Sequence, residues 1–270
     1  MTTNGGTRFN EILCALRAAG KEELLPCFHE PMSVTEKSDG SLVTSADHAV
    51  DNRLRKLLDE LSPGVPVLSE EQARGAQEAI LHGDQAFWLL DPLDGTTNFA
   101  GGMPFFAISL ALIDGSGVAF GATYDPIRDE LFSAERGAGL MMNGTPTPTR
   151  QHGPKQDLAG CTALVDYKRL STPVAVALAT DPPYRSQRNL GACALEWAWL
   201  ATGRADLYLH GGQALWDSAA GTLMLTEAGG QHTDLQGDPI FRRSLNKPSA
   251  VAGRTGALHD QWLRWLVARG

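Results

Sequence analysis

Cysteine is scarce and scattered: Cys14, Cys27, Cys161 and Cys193 stand far apart, with no C-x-x-C pair. That spacing excludes a zinc ribbon or a disulfide framework and fits a reducing compartment. Long apolar runs are lacking as well. The longest, Met103 to Ile113, is interrupted by Ser109 and is too short to span a bilayer, and the first twenty residues carry no basic segment followed by an apolar one. The expectation is a cytoplasmic protein without membrane contact. Positive charge is in deficit, with 23 Lys and Arg against 31 Asp and Glu for a net charge of -8. This argues against a broad nucleic-acid or anionic-membrane surface, so any anionic ligand needs a local source of positive charge. No fixed-period repeat is found, and the 29 Gly and 15 Pro follow no periodic order, which sets aside collagen-like and low-complexity classes.

What remains is 270 residues at 43% hydrophobic content, long enough to bury about three quarters of the unfolded surface. Phe9, Ile12, Leu13 and Leu16 recur at helical spacing, as do Val50, Leu54, Leu57, Leu58 and Leu61 before Pro63. Short β-rich runs follow at 65–68, 86–90, 106–113, 118–123 and 130–133, with Gly115-Ser116-Gly117 and Asn143-Gly144 as hairpin turns. The polar, breaker-rich stretch 143–160 is the candidate boundary between an N-terminal α+β part, 1–147, and a C-terminal α/β part, 148–270. In the second part strands at 162–165 and 205–209 alternate with helices at 193–200 and 217–228. The apolar run 174–178 is of open type, and Leu258, Trp262, Trp265 and Leu266 mark a closing amphipathic helix.

The most informative segment is Trp88 to Phe99, where an apolar strand runs into Asp91, Pro92, Asp94 and Gly95. Two carboxylates leaving a buried strand can converge on one hard cation, and the Gly95 and Thr96 amides after them can face an anion. Asp94-Gly95 is equally a plain β-turn. Three further acidic sites each follow a hydrophobic anchor: Ser69-Glu70-Glu71, Asp47 after Leu42 to Ala46, and Asp217 after Leu215-Trp216. Singly, Asp47 and Asp217 read as helix caps and Glu70-Glu71 as a solvated pair. Some familiar phosphate-handling chemistries fail on spacing. Six positions after the four cysteines come Gly20, Ser33, Tyr167 and Trp199 rather than the Arg of C-x5-R, and Asp91 and Asp94 are too far apart for the Asp-x-Asp of an aspartyl-phosphate enzyme. No phosphate-binding G-x-x-x-x-G-K-[ST] or H-E-x-x-H occurs.

Together these motifs resemble the inositol monophosphatase superfamily of Mg2+-dependent, lithium-sensitive phosphatases. The resemblance is carried by Trp88 to Phe99 with Pro104 to Leu110, by Trp216 to Gly221 with Glu227 to Gly230, and by the segments of Glu70 and Asp47, in the family's order. It implies a layered αβαβα sandwich of the sugar phosphatase type. It further implies that Glu70, Asp91, Asp94 and Asp217, with the Leu93 carbonyl, hold two or three Mg2+ ions, for which Mn2+ can substitute. The Gly95 and Thr96 amides would hold phosphate. Asp47 and Thr96, with Glu70 beside them, would orient or deprotonate the attacking water, and Asp94, Gly191, Ala192, Cys193, His210 and Asp217 would line the substrate. The chemistry agrees: two Mg2+ neutralise phosphoryl oxygens, activate water and stabilise the departing alkoxide, and a cluster of acids without them raises its own pKa values.

The implied reaction is hydrolysis of a small phosphate monoester, inositol 1-phosphate or a related polyol or sugar phosphate, by a homodimer. Two departures bear on substrate. His210 stands where an acid commonly contacts polyol hydroxyls, and Gly191-Ala192-Cys193 stands in place of Gly-[Ser/Thr]-Ala. Histidinol phosphate, fructose 1,6-bisphosphate and a 3'(2'),5'-bisphosphate nucleotide are alternatives, with Arg185 and Arg188 as candidates for a second anionic group. A rival of another class is a regulatory protein that binds RNA or the transcription machinery.

Overall fold

In a computed structural model, residues 3–28, 34–36, 42–147 and 155–270 are described. Helix α1 (Thr3–Ala19) continues through a π-helical turn at Gly20–Leu24 into α2 (Leu25–Phe28), and a two-stranded ribbon, β1 (Val34–Glu36) and β2 (Leu42–Thr44), leads into α3 (Ser45–Leu61). β3 (Val67–Ser69) and α4 (Arg74–His82) precede β4 (Phe87–Asp94), α5 (Thr96–Ala100), β5 (Ala107–Asp114), β6 (Gly117–Asp125), β7 (Glu130–Glu135), β8 (Gly139–Met142) and β9 (Thr145–Pro146). β3 pairs parallel with β4, and every later neighbour in this seven-stranded sheet is antiparallel.

A five-stranded sheet follows, built from β10 (Thr162–Asp166), β11 (Ser186–Arg188), β12 (Leu207–His210), β13 (Gln231–Thr233) and β14 (Ala250–Gly253) in the order β11-β10-β12-β14-β13. β10 runs parallel to both β11 and β12. Its helices are α6 (Thr172–Thr180), α7 (Cys193–Ala201), α8 (Leu215–Glu227) and α9 (Gly256–Val267).

Period-2 alternation builds the layers, because successive strand side chains point to opposite faces. On β4, Trp88 and Leu90 pack with Ile108, Leu110 and Ala122 under Ile12 and Leu16 of α1 and Val50, Leu54 and Leu58 of α3. Phe87 and Leu89 face the other way, into the core shared with Leu195 of α7, Met224 of α8, and Leu164, Tyr208 and Ala252 of the second sheet. That sheet's far face, Ala163, Val165, Leu209 and Val251, is covered by Val174 and Leu178 of α6 and by Leu258, Trp262 and Leu266 of α9. The order is therefore α, β, α, β, α, as expected.

The apolar run 174–178 is helical, with Pro173 in its first turn; both Val174 and Leu178 fall on the buried side, the i, i+4 relation of one helix face. Asn143 (φ 52°) and Gly144 (φ 76°) make the expected tight turn, and residues 143–147 belong to the β8–β9 hairpin and its exit rather than to a linker. The boundary at 147/148 borders residues 148–154, which lie outside the described residues. Among the described residues no helix is long and apolar enough to cross a membrane.

Candidate active site

The site is built where β4 loses its regular pairing. The register of β4 against β5 slips between Asp91 and Asp94, and the slip re-aims the strand end as bulges do. Asp91 is buried, and its Oδ1 accepts from the Leu93 amide at 3.1 Å. Asp94 is buried too, but its partners lie a hundred residues away: Oδ1 accepts from the Cys193 amide at 2.9 Å and Oδ2 from the Leu195 amide at 3.2 Å, at the start of α7. These are amides that a helix leaves without intrahelical acceptors.

Gly95 makes this approach feasible. Its φ is +89°, and a Cβ there would lie 2.9 Å from Ala192 Cβ and 3.2 Å from the Phe105 carbonyl oxygen. Glu70 follows β3, its amide donating to Leu90 O at 3.1 Å, so the parallel pairing carries it alongside the end of β4.

Asp47 caps its helix and also reaches Thr96. It is the third residue of α3 and completes a capping box: its Oδ2 accepts from the Thr44 amide at 2.8 Å and from Thr44 Oγ1 at 2.5 Å. Its Oδ1 accepts from Thr96 Oγ1 at 3.3 Å, and the same hydroxyl lies 3.0 Å from Leu93 O. Asp217 is not the N-cap of its helix. α8 starts two residues earlier, so Asp217 holds the third helical position and accepts from the Ala214 amide at 2.9 Å.

The acids sense one another. Burial raises Asp91 well above the usual carboxylate range, and the charges of Glu70, Asp94, Asp217 and Asp47 push it further. Burial likewise lifts Asp94 to about 7 against the opposing Leu195 amide, and Asp217 to about 7, helped by Asp94 and Glu70. Among the described residues no three His, Cys, Asp or Glu side chains form a ready-made cation cage. The carboxylates lie within mutual electrostatic reach instead. A hard-oxygen donor set strained by its own repulsion fits a divalent hard cation, which reverses that repulsion. Burial and the charges of Asp217 and Asp94 hold the Cys193 thiol neutral, its pKa raised well above the ordinary value, so thiolate chemistry is not available there.

Beside the acids opens a cleft of ≈ 310 Å³ that includes Gly191, Cys193, His210 and Asp217 in its lining. Ala192, also expected on the substrate, has a fully buried side chain that packs against Gly95. Arg185 and Arg188 do not line the cleft; Arg188 bonds to Ser186 Oγ and Gln187 O. His210 is no loop residue. It ends β12, is buried, and has both ring nitrogens engaged: Nδ1 accepts from the Gly212 amide at 3.1 Å and Nε2 lies 3.5 Å from Asp166 Oδ2.

One support was missed. Glu196, buried in α7, accepts from the Leu190 and Gly191 amides at 2.7 and 3.3 Å and so anchors the Gly191 segment. Burial raises it to about 7. A lone acid inside the apolar run Cys193 to Leu200 was the available signal, since an acid placed there needs partners.

Comparison with known proteins bears on this geometry. The family model described as the inositol monophosphatase family matches residues 7–268. An inositol-1-monophosphatase of Mesorhizobium japonicum is 34% identical over 82% of this chain and 82% of its own length. The Nus factor SuhB of Pasteurella multocida is 34% identical over 80% of each chain. The crystal structure of the extragenic suppressor protein SuhB of Bartonella henselae superposes with a TM-score of 0.83, at 30% identity, over 96% of this chain and 98% of that one.

Proposed function

Since this chain belongs to the inositol monophosphatase family and is a phosphoric monoester hydrolase, we propose that it hydrolyses a small polyol or sugar phosphate, inositol 1-phosphate or a relative, in a Mg2+-dependent reaction. The observation that carries this reading is the set of acids from both halves of the chain, Asp91 and Asp94 buried and Asp217 half-buried, each with a raised pKa. Glu70, Asp91, Asp94, Asp217 and the Leu93 carbonyl would hold the metal. Bound there, Mg2+ supplies charge neutralisation for the phosphoryl group and a more acidic water, with Mn2+ as a substitute and two or three ions in turnover.

The protein's own groups do the rest. The Gly95 and Thr96 amides, at the turn from β4 into α5, bind phosphoryl oxygens. Thr96 Oγ1 has one proton for two acceptors, Asp47 Oδ1 and Leu93 O. When that proton points to Asp47, the lone pairs of Oγ1 accept from the attacking water and align it. Asp47 is fixed for this by Thr44, and Glu70 stands ready to take the water's proton. The water oxygen bonds to phosphorus as the ester oxygen leaves and gains a proton, with no phosphoenzyme. The Gly191 to Cys193 segment and His210 flank the alcohol part.

The division at 147/148 belongs to this reading, with most metal ligands in the first part and Asp217 in the second, as do a cytoplasmic homodimer and lithium inhibition. The acidic charge balance disfavours a regulatory RNA-binding role. The test is phosphate release from inositol 1-phosphate by purified protein with and without Mg2+. Asp91→Asn and Asp217→Asn should abolish it while circular dichroism stays unchanged; full turnover in either variant rejects the assignment.

A further inference from the structure

Behind the cleft wall formed by Gly191, Cys193, Gly212 and Ala214 lie three buried polar side chains. Glu196 of α7, Tyr208 of β12 and Gln213 in the loop before α8 are each at most 2% exposed, beside an apolar core that contains Leu195, Trp197 and Leu215.

The donor of each bond between them is fixed. Trp197 Nε1 can only donate, so the atom it meets at 3.1 Å is Gln213 Oε1, and the Gln213 amide nitrogen faces the Tyr208 hydroxyl at 2.5 Å. With its oxygen accepting there, Tyr208 donates its own O–H to Glu196. Glu196, an acceptor only when ionised, takes that bond together with the Leu190 and Gly191 amides at 2.7 and 3.3 Å. One charge at one end sets the direction of the whole chain. We propose that Glu196, Tyr208 and Gln213 are positioning residues: a relay, polarised by Glu196, that holds the Gly191 wall of the cleft in register with the loop leading to Asp217.

Both ends of the relay are attached to the site. At the Glu196 end, Leu190 O accepts from Asn98 Nδ2 at 2.7 Å, and Gly191, at φ +78°, would bring a Cβ within 3.2 Å of Asn98 Oδ1. The turn after β4 therefore clasps the same wall. At the other end the Gln213 amide donates to Pro248 O at 2.9 Å, and the next residue, Ala214, donates its amide to Asp217 Oδ2 at 2.9 Å. In the middle, the Cys193 side chain meets both Tyr208 and Gln213, while the Cys193 amide holds Asp94. Packing alone does not call for a buried charge here, because an apolar group of similar shape fills a core at equal or lower cost. A fully partnered polar chain adds direction and rigidity instead.

What the relay positions rests on the phosphatase reading, whereas its coupling of the two segments does not, and amide exchange tests that coupling by itself. The measurement is made by NMR in EDTA at pH 8, above the raised Glu196 pKa of about 7. Glu196→Gln turns a second donor onto the Tyr208 hydroxyl and leaves that O–H without an acceptor. It should speed exchange of the Leu190 amide directly and of the Ala214 amide through the relay, each by about fivefold or more, with Ala111 of β5 unchanged. Adding Gln213→Glu moves the carboxylate to the far end, where it accepts from Trp197 and Tyr208 and reverses the bonds on Tyr208. The double variant should therefore return both amides to within about twofold of wild type. Tyr208→Phe, which keeps the ring and removes the link, should speed Ala214 as much as Glu196→Gln does, without rescue by Gln213→Glu.

Kinetics supply the second readout. With Mg2+, kcat/KM for inositol 1-phosphate should fall about tenfold or more in Glu196→Gln and return to within about threefold in the double variant. A role confined to stability would leave these rates unmoved in protein that circular dichroism shows to be folded. An Ala214 amide indifferent to both Glu196→Gln and Tyr208→Phe overturns the relay, as does a double variant that exchanges no more slowly than Glu196→Gln. Failure of the wild type to hydrolyse the ester sinks the phosphatase reading and leaves the exchange result standing.

Discussion

Gly95→Ala isolates the contact between the β4 turn and α7. At φ +89° the added Cβ meets Ala192 Cβ at 2.9 Å and Phe105 O at 3.2 Å. The left-handed conformation costs an L-residue about 1–2 kcal/mol, and forcing a methyl into a filled space costs about 1–3 kcal/mol more. The sum, about 2–5 kcal/mol, corresponds to a fall in Tm of roughly 5–15 °C for a chain of this size. Gly64 is the matched control, because its φ is +80° and nothing lies within 4 Å of a Cβ there; Gly64→Ala should lose only the first part, about 1–2 kcal/mol.

Activity should separate the two further. Displacing the turn moves Asp94 against the Cys193 and Leu195 amides that grip it, and misplacement on the order of 1 Å costs about a hundredfold in rate. Ala192→Gly in the Gly95→Ala background removes the closest collision, so a double-mutant cycle by urea unfolding should show favourable coupling of about 1 kcal/mol. The reasoning fails if Gly95→Ala is no less stable than Gly64→Ala and retains kcat/KM for inositol 1-phosphate.

Mg2+ titration should raise Tm, because a ligand at a hundred times its Kd adds about 2.7 kcal/mol to the folded state; Asp91→Asn should abolish that rise, and an equal rise in the variant would remove Asp91 from the metal site. His232 gives a pH signature: burial, then the charge of His259, holds its pKa down at about 4 against 6.5 when unfolded. The unfolded chain therefore binds more protons between those values, so stability is complete above pH 6.5 and falls as pH drops toward 4, by no more than about 3 kcal/mol. His232→Gln should flatten that acid limb in pH-dependent urea unfolding, and an unaltered limb would assign it elsewhere. Arg204 grips Glu130 with two bonds of 2.6 Å beneath Trp199 and Phe132, so Arg204→Lys, which cannot form the fork, should cost about 1–2 kcal/mol in thermal unfolding. No measurable loss would mean that the pair is solvent-screened.

The layered order was implied by the family resemblance; the residues themselves marked the strand, because the unbroken apolar run Phe87 to Leu90 suits a strand buried on both faces. Asp91 and Asp94 alone read equally as a plain β-turn, and only the further acidic motifs at Asp47, Glu70 and Asp217 tipped the reading toward a site. Shorter elements were not: β14 is four residues among small side chains, too few to show a period. The helix at Asp217 was read two residues late, because the apolar Leu215-Trp216 carries no capping signature. Arg185 and Arg188, close together in sequence, read as candidates for a second anionic group but lie outside the cleft, whose lining comes from segments far apart in the chain that meet only through sheet order.

The grip of the Cys193 and Leu195 amides on Asp94 has a bearing on biosynthesis. A ribosome that has released only the first sheet has already displayed Glu70, Asp91 and Asp94, yet nothing synthesised so far can hold the last of them in place. On the proposed metal assignment, competence arrives with the onset of α7 and is completed when Asp217 emerges, so a stalled nascent polypeptide would carry the first acids while remaining catalytically silent.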